Sequence, residues 1–185
     1  MVEKKLLTLA AVLGILACGA CYFGPSPERQ PPPPPLSSVL DGIRNIRVEV
    51  ANASPSHHLD SAALARKIAE AINEQSWKTK VNAHVGKEAE GEDAVLAITV
   101  LSETVESRPV GKTERMTFHI TASATLTRLD GALVWRETEA KSWFQRNVAE
   151  ENAAEAWKQP GLEDGVDKEL SDTLVFRMFY GNHLN

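Results

Sequence analysis

Cysteine is scarce in this chain: only Cys18 and Cys21 occur among 185 residues. Together they form a Cys-x-x-Cys. A redox pair of this spacing needs a folded strand-to-helix context, and a zinc site needs further cysteines or clustered histidines. Neither accompanies the pair, so no metal, thiol chemistry or cofactor is predicted.

The chain also has no excess of basic residues, because its 20 Lys and Arg are outnumbered by 25 Asp and Glu, which gives a formal net charge of −5. A nucleic-acid-binding protein would show a basic surface stripe, so no nucleic-acid partner is expected. No long apolar segment follows the first eighteen residues. Nothing further along the chain is therefore expected to span a membrane as a helix.

Catalytic motifs are lacking as well, including Gly-x-Ser-x-Gly, His-Glu-x-x-His and a phosphate-binding glycine loop. His57 and His58 form a pair without a nearby third ligand, and we interpret them as a solvated loop pair. His119 would need an orienting carboxylate and a nucleophile to act as a general base. No catalytic residue or metal ligand is predicted, and the chain is not expected to be an enzyme.

What the chain does have is an export signal. The charged stretch Glu3-Lys4-Lys5 precedes an apolar run from Leu6 to Ala17. A charged start and a short apolar middle are typical of a secretory signal peptide. The run is shorter than the roughly 20 residues that a membrane-spanning helix needs. Residues 1–17 are therefore predicted to be a signal peptide.

The sequence Ile15-Leu16-Ala17-Cys18 resembles the bacterial lipobox, in which the cysteine becomes the lipidated first residue. Leu16 departs from the small residue usual there. Cys18 is predicted to carry acyl chains, which add about 0.8 kcal/mol of membrane affinity per buried methylene. Cys21 remains the alternative acceptor, and a plain export signal with an incidental cysteine is the other alternative. Resemblance to enterobacterial lipoproteins implies outer-membrane sorting, on the periplasmic side, because Gly19 replaces the Asp that retains such proteins at the inner membrane.

A proline-rich stretch, which includes Pro31 to Pro35, follows the anchor. Such runs adopt an extended polyproline II helix and form no core. Residues 18–38 are therefore predicted to be a lipid-anchored spacer, and residues 39–185 a single periplasmic domain.

Strict alternation from Met116 to Thr127 is the clearest pattern in the domain. It predicts a long antiparallel strand with one packed face, which includes Phe118 and Ile120, and one polar face. Asp130-Gly131 is typical of a tight hairpin turn, with the return strand running from Ala132 to Phe144.

Elsewhere, Ile46 to Val50 predicts a first strand, and apolar residues at every fourth position predict a helix after Asp60 or Ser61 and a second over residues 162–178. The region Lys80 to Val85 is expected to be a short strand and Ala94 to Val105 a central one. We therefore expect an α+β two-layer sandwich, a mostly antiparallel sheet with two helices packed on one face.

Three local signals add detail. Pro109-Val110-Gly111 predicts a loop. Asn147, with Glu150 three residues on, predicts a helix start. Trp135, Trp143 and Trp157 are interpreted as core or core-edge residues.

Three segments resemble the LptE-like family of lipopolysaccharide-assembly lipoproteins. They are Ile46 to Ser54 with its Asn-containing turn, Asp93-Ala94-Val95-Leu96 leading to Ser102-Glu103-Thr104-Val105, and Thr127 to Trp135. The resemblance implies a non-catalytic accessory or plug subunit of an outer-membrane β-barrel translocon, with lipopolysaccharide as a further partner. The alternative is a generic cell-envelope scaffold or secretion-system lipoprotein, and a periplasmic hydrolase is a third, less favoured one.

Four residues are candidates for facing a partner or lipid. Thr121 and Ser123 carry small hydroxyl side chains that can pack against a polar barrel lumen without burying unpaired charge. Arg128 and Arg136 carry guanidinium groups, which suit the phosphates of lipid A. Solvated strand-end charges are the alternative interpretation of the two arginines.

We predict that Cys18→Ala leaves the precursor uncleaved or releases the domain from the membrane. Intact-mass analysis of the membrane-extracted wild-type protein should show a chain that starts at Cys18 with diacylglyceryl and acyl groups. Continued lipidation of the Cys18→Ala variant would identify Cys21 as the acceptor instead.

Overall fold

Five strands and three helices form the domain in the computed structural model, which describes residues 40–56, 59–149 and 162–181. In chain order they are β1 Asn45–Asn52, α1 Ser61–Glu74, α2 Ser76–Thr79, β2 Asn82–Val85, β3 Ala94–Val110, β4 Thr113–Arg128, β5 Leu133–Ala149 and α3 Leu162–Tyr180. The strand order in the sheet is β2-β1-β3-β4-β5. Strand β1 is parallel to both of its neighbours, and β3, β4 and β5 are antiparallel. The predicted α+β class with a mostly antiparallel sheet is confirmed.

The alternation in β4 divides the sheet into two faces, as predicted. One face is buried along the strand, at Met116, Phe118, Ile120, Ala122, Ala124 and Leu126. Phe118 and Ile120 are essentially inaccessible to solvent. Helix α1 contacts β1 and β2, α3 contacts β4 and β5, and the two helices contact each other. The contacts of α1 are thus concentrated on β1 and β2 and those of α3 on β5, and both helices pack on the buried face of the sheet.

Helix α1 begins at the predicted cap. The Asp60 side chain accepts a hydrogen bond from the backbone N–H of Ala62 at 2.8 Å, which satisfies one of the free donors of the first turn. Its buried stripe is Leu64, Ala65, Ile68, Ala69 and Ile72. The short helix α2 was not predicted. It ends at Thr79 and is followed by the capping residue Lys80, whose φ of +62° lies in the left-handed region.

Strands β3, β4 and β5 form a meander of two consecutive hairpins, and the sequence predicts the second turn better than the first. In the β4–β5 turn, Gly131 has a φ of +89°, and the Asp130 side chain accepts a hydrogen bond from the Ala132 N–H at 2.9 Å, as expected of an Asp-Gly turn. The loop predicted at Pro109-Val110-Gly111 begins later than expected, because β3 continues to Val110 and the turn is formed by Gly111 and Lys112. Strand β1 pairs with β3 only as far as Val100. Beyond that residue one side of β3 has no described strand beside it, and proline is tolerated on such an edge.

Strand β5 is longer than expected, and the helix start predicted at Asn147 is wrong. Asn147 pairs with Arg115, and the strand ends only at Ala149. The helix-cap signal at Asn147 is outweighed, because the first residues of β4 pair with the end of β5. The predicted second helix is confirmed as α3, whose buried residues Val166, Leu170, Leu174 and Met178 recur every fourth position.

Gly165 marks a close approach of α3 to the sheet. A Cβ atom built at this position would lie 2.6 Å from Cε2 and Cζ of Phe144, well inside van der Waals contact. Any side chain here would therefore displace the Phe144 ring or the helix. The glycine that weakens the helix locally is what allows α3 to pack on β5.

We predict that Gly165→Ala lowers the free energy of unfolding by about 1–3 kcal/mol, the usual range for overpacking. Helix propensity alone would give a gain of about 1 kcal/mol. Urea denaturation measures the difference. In a Phe144→Ala background the clash is absent, so the same substitution should be neutral or stabilising. A more stable Gly165→Ala single variant would contradict the close packing.

Candidate partner-binding face

The sheet face opposite the helices is lined by short polar side chains. On β4 these are Thr117, His119, Thr121, Ser123, Thr125 and Thr127, all of them partly exposed. No described helix contacts this face, which we call the open face. The alternation of β4 produces it, because every residue that does not enter the core points here.

Thr121 and Ser123, predicted as partner-facing residues, both lie on the open face. Thr121 pairs with Ser102 on β3 and with Lys141 on β5, and Ser123 pairs with Thr99 on β3. The hydroxyl groups of neighbouring strands are therefore side by side. A partner would meet a shallow surface that offers hydrogen bonds without isolated buried charges.

The two predicted arginines are separated by the structure. Arg136 is exposed and pairs with Thr125, which places it on the open face. Arg128 follows Leu126 by two positions and so belongs to the opposite side of β4. Its Nη2 donates a hydrogen bond to the backbone carbonyl of Asp41 at 2.7 Å, next to Gly42. Arg128 thus holds the segment that leads into β1.

Trp143 was interpreted as a core or core-edge residue and is instead exposed. Its position opposite His119 on the neighbouring strand places it on the open face, and 60% of its surface is accessible. Trp135, in contrast, is buried as expected, opposite Leu126. The sequence alternation of β5 is broken by a bulge between these two tryptophans, which is why their faces could not be inferred together.

His119 does have a carboxylate nearby. Its Nε2 lies 3.7 Å from Oε1 of Glu106, but the Glu106 side chain is 77% exposed and the two atoms form no hydrogen bond. Thr104 pairs directly with His119 and no activated nucleophile stands beside it among the described residues. The geometry gives an exposed pair on the open face.

Near the β2–β1 edge of the sheet, a fully buried carboxylate anchors the loop that precedes β3. The Glu92 side chain has no exposed surface and accepts hydrogen bonds from Nε of Arg47 at 3.0 and 3.1 Å. His84 Nε2 lies 3.5 Å from Glu92. The neighbouring Asp93 accepts the N–H groups of Arg44 and Asn45 at 2.8 and 2.9 Å. These contacts fix the start of β1 against the start of β3.

At the other end of β1, the side chain of Glu103 on β3 is buried although it is a charged residue. The β-bulge between Val100 and Ser102 shifts the alternation by one residue and turns Glu103 towards the helix side, opposite Ile120. The Glu103 carboxylate accepts hydrogen bonds from Nδ2 of Asn52 at 2.5 Å and from the Ser56 hydroxyl at 3.3 Å. Sequence reasoning missed this cluster, since the bulge has no local signal.

The Asn-containing turn after β1 is part of the same cluster. Oδ1 of Asn52 accepts the N–H of Ser54 at 2.9 Å, a turn in which the side chain replaces a backbone acceptor. The Ser54 and Ser56 hydroxyls are 2.8 Å apart. The polar residues of this turn serve to fix the loop between β1 and α1.

A cleft of about 470 Å³ lies between α1 and α3, with the exposed Phe176 and Tyr180 at its rim. Lys78 donates to the Tyr180 hydroxyl at 3.2 Å and lies 4.7 Å from the ring centroid. At the neighbouring surface a hydrogen bond to Asp172 at 2.6 Å raises the pKa of Lys168. Two charged residues that line the cleft are thus paired within the fold, Asp172 with Lys168 and Arg177 with Glu137 at 2.9 Å.

Several sequence predictions fall outside the described residues, including Cys18, Cys21, His57, His58 and Trp157. Within the described part of the chain, no group of three or more His, Cys, Asp or Glu residues could hold a metal ion. In that same part, no helix is both long enough and apolar enough to cross a bilayer.

No family model matches the chain, so the resemblance to the LptE-like family stays a prediction. No curated protein matches it either. Solved structures with a similar fold include the PelC dodecamer from Paraburkholderia phytofirmans, at 14% identity and a TM-score of 0.44, covering 80% of this chain and 95% of that one.

Two further similar structures are lipoproteins. The minor lipoprotein from Acinetobacter baumannii is 12% identical with a TM-score of 0.40, covering 73% of this chain and 90% of that one. Lipoprotein GNA1162 from Neisseria meningitidis is 18% identical with a TM-score of 0.37, covering 65% and 90%. Identities and TM-scores in this range do not assign a function to the chain.

We predict that Glu103→Ala lowers the free energy of unfolding by about 1–3 kcal/mol, because it removes the buried carboxylate that accepts hydrogen bonds from the side chains of Asn52 and Ser56. Glu103→Gln keeps one acceptor oxygen and should lose less. Glu106→Ala is the matched control, three positions further along β3 on an exposed site, and should change the urea midpoint little. Equal losses for the Glu103→Ala and Glu106→Ala variants would show that the buried cluster does not stabilise the fold.

Proposed function

We propose that this chain is a lipid-anchored cell-envelope protein that acts by binding, as an accessory subunit of an outer-membrane β-barrel translocon that assembles lipopolysaccharide at the cell surface. The predicted signal peptide over residues 1–17, followed directly by Cys18, supports the anchor, and Gly19 supports the outer membrane as its destination. The domain would then face the periplasm on its proline-rich spacer.

The observation that carries the proposal is the open face. Strands β3, β4 and β5 contain 16 or 17 residues each. At about 3.3 Å per residue and 4.8 Å between strands, they give a surface roughly 50 Å long and 15 Å wide. Such a surface is close to the roughly 800 Å² per partner of a standard protein interface.

The chemistry of this face suits a large polar partner. Its side chains are mainly threonine and serine, and they can donate and accept hydrogen bonds at small conformational cost. Trp143 adds one large aromatic contact of the kind that concentrates binding energy in interfaces. A polar barrel wall, itself a β-sheet surface, is complementary to such a shallow hydroxyl-lined sheet.

A second candidate is a generic envelope scaffold or secretion-system lipoprotein that uses the same face without touching lipopolysaccharide. The position of Arg128 favours this second candidate, because the Arg128 guanidinium already donates a hydrogen bond to the backbone carbonyl of Asp41. Of the two arginines predicted to meet lipid phosphates, only Arg136 is then presented on the open face.

We predict that Thr121→Arg or Ser123→Arg reduces recovery of the barrel partner about tenfold or more when the full-length protein is purified from gently solubilised membranes. A bulky charge in the centre of a packed interface is costly. Ala62→Arg, an exposed position on the helix side, is the matched control and should recover the partner normally. Circular dichroism should show all three variants folded.

Depletion of the protein separates the two candidates. If it serves lipopolysaccharide assembly, depleted cells should lose surface lipopolysaccharide and become sensitive to large hydrophobic antibiotics. Unchanged surface lipopolysaccharide, together with a partner that is still lost in the Thr121→Arg variant, would replace the translocon role with the scaffold role. Equal recovery of a partner by all variants would refute the open face as the interface.

A further inference from the structure

Strand β5 is the long edge of the sheet. One side of it pairs with β4, and among residues 40–56, 59–149 and 162–181 no strand lies on its other side. A bulge separates the two halves of the strand, because two steps on β4, from Ala122 to Ala124, match three on β5, from Ala140 to Glu137. From Ala140 to Ala149 the pairing is regular and unbroken.

Exposed edges are normally guarded by bulges, charges or prolines, since free backbone N–H and C=O groups invite another strand. The bulged half of β5 has such guards in Glu137 and Glu139. The half from Ala140 to Ala149 has regular backbone, no proline and an exposed Trp143, and its two charged residues are Lys141 and Arg146. This half, which we call the β5 edge, has the features of a pairing site.

A groove of about 340 Å³ runs beside the β5 edge. One wall is the strand from Lys141 to Gln145, and the other is α3, through Glu169 and Thr173. A strand takes up about 4.8 by 10 Å in cross-section and 3.3 Å of length per residue. The enclosed part thus holds about two residues of an extended chain, and the rest of such a chain would follow the exposed edge.

The two sides of the β5 edge offer different chemistry. Towards the open face, Trp143 presents its ring between Lys141 and Gln145, and Lys141 is already paired with Glu139 at 3.0 Å. Towards the helix layer, the groove is lined by the exposed carboxylate of Glu169, and Arg146 lies on the same side further along the strand, opposite Met116. An added strand would place alternate side chains on these two sides.

We propose that the β5 edge binds an extended segment of a partner protein as a sixth strand, with apolar residues towards Trp143 alternating with basic residues towards Glu169. The free backbone groups dictate an extended occupant, as in other strand-addition sites. The aromatic ring on one side and the exposed Glu169 carboxylate on the other dictate its alternation. This surface is separate from the hydroxyl-lined open face, and the inference does not depend on the proposed translocon role.

A second copy of this chain fits the β5 edge less well. Its other described sheet edge, β2, has four residues and cannot match a ten-residue edge. Pairing two β5 edges would place the Glu169 side of one groove against that of the other. A partner segment with lysine or arginine supplies the opposite charge.

The test uses the full-length protein in detergent micelles and a labelled peptide, Thr-Val-Lys-Val-Lys-Val-Thr, with blocked ends, followed by fluorescence anisotropy. We expect saturable binding that Trp143→Ala weakens about tenfold or more, as for an interface hot spot. Trp77→Ala is the matched control, because Trp77 on α2 is 75% exposed. It should leave the affinity unchanged.

Two further arms test the backbone and the charge. N-methylation of alternate peptide residues removes the N–H groups along one edge, so one of the two possible methylated sets should abolish binding while the other retains it. Glu169→Lys should weaken the lysine peptide several-fold and strengthen its glutamate counterpart, Thr-Val-Glu-Val-Glu-Val-Thr. The control variant Glu70→Lys, on α1, should leave the affinity for both peptides unchanged.

Three results would overturn the inference. Equal binding of both methylated sets would mean that no strand is added. An unchanged affinity in the Trp143→Ala variant would place the peptide elsewhere. A dimer in sedimentation analysis that Trp143→Lys dissociates would show that the occupant is a second copy of the chain.

Discussion

Burial of one face of β4 is the constraint on which the described fold depends. Phe118 and Ile120 are sealed beneath the helix layer, and truncation of a buried aromatic side chain of this kind typically costs about 3–5 kcal/mol. A one-residue slip of the strand would exchange these side chains for the threonines of the opposite face. The register of β3 and β5 on either side, the positions of α1 and α3, and the existence of a polar open face all follow from that single alternation.

The sequence predicts most of this architecture because the signals involved are local and periodic. These signals are the alternation from Met116 to Thr127, the Asp130-Gly131 turn, and the apolar residues at every fourth position of α3. Each depends on residues that are only a few positions apart. The predictions that the structure corrects, at Pro109 and Asn147, also rested on local signals, but there the outcome is decided by a distant strand. Pro109 is accommodated because β1 has already ended beside β3, and Asn147 is held in β5 by Arg115.

The long-range hydrogen bonds of the fold could not be predicted either, because they too depend on residues that are far apart in the chain. Arg47 reaches Glu92 across 45 positions of the chain, and Asn52 reaches Glu103 across 51. Arg128, which the sequence suggested as a phosphate ligand, is occupied by a backbone carbonyl 87 positions away. For the candidate face, the hydroxyls of Thr121 and Ser123 were predictable from the period of β4. The exposure of Trp143 was not, because it depends on a bulge and on an edge that only the assembled sheet defines.

The parallel placement of β1 affects how the chain acquires its structure. Thr127 meets Leu133 across a short turn, whereas Ile46 meets Ala94, 48 positions later. Long-range pairings form slowly because loop-closure entropy opposes them until both partners are present. We therefore expect the β3–β5 meander to form first and to serve as the template for β1. Because β1 is synthesised first, it stays exposed and unpaired until synthesis has passed β5, and during that interval the strand is a natural substrate for chaperones.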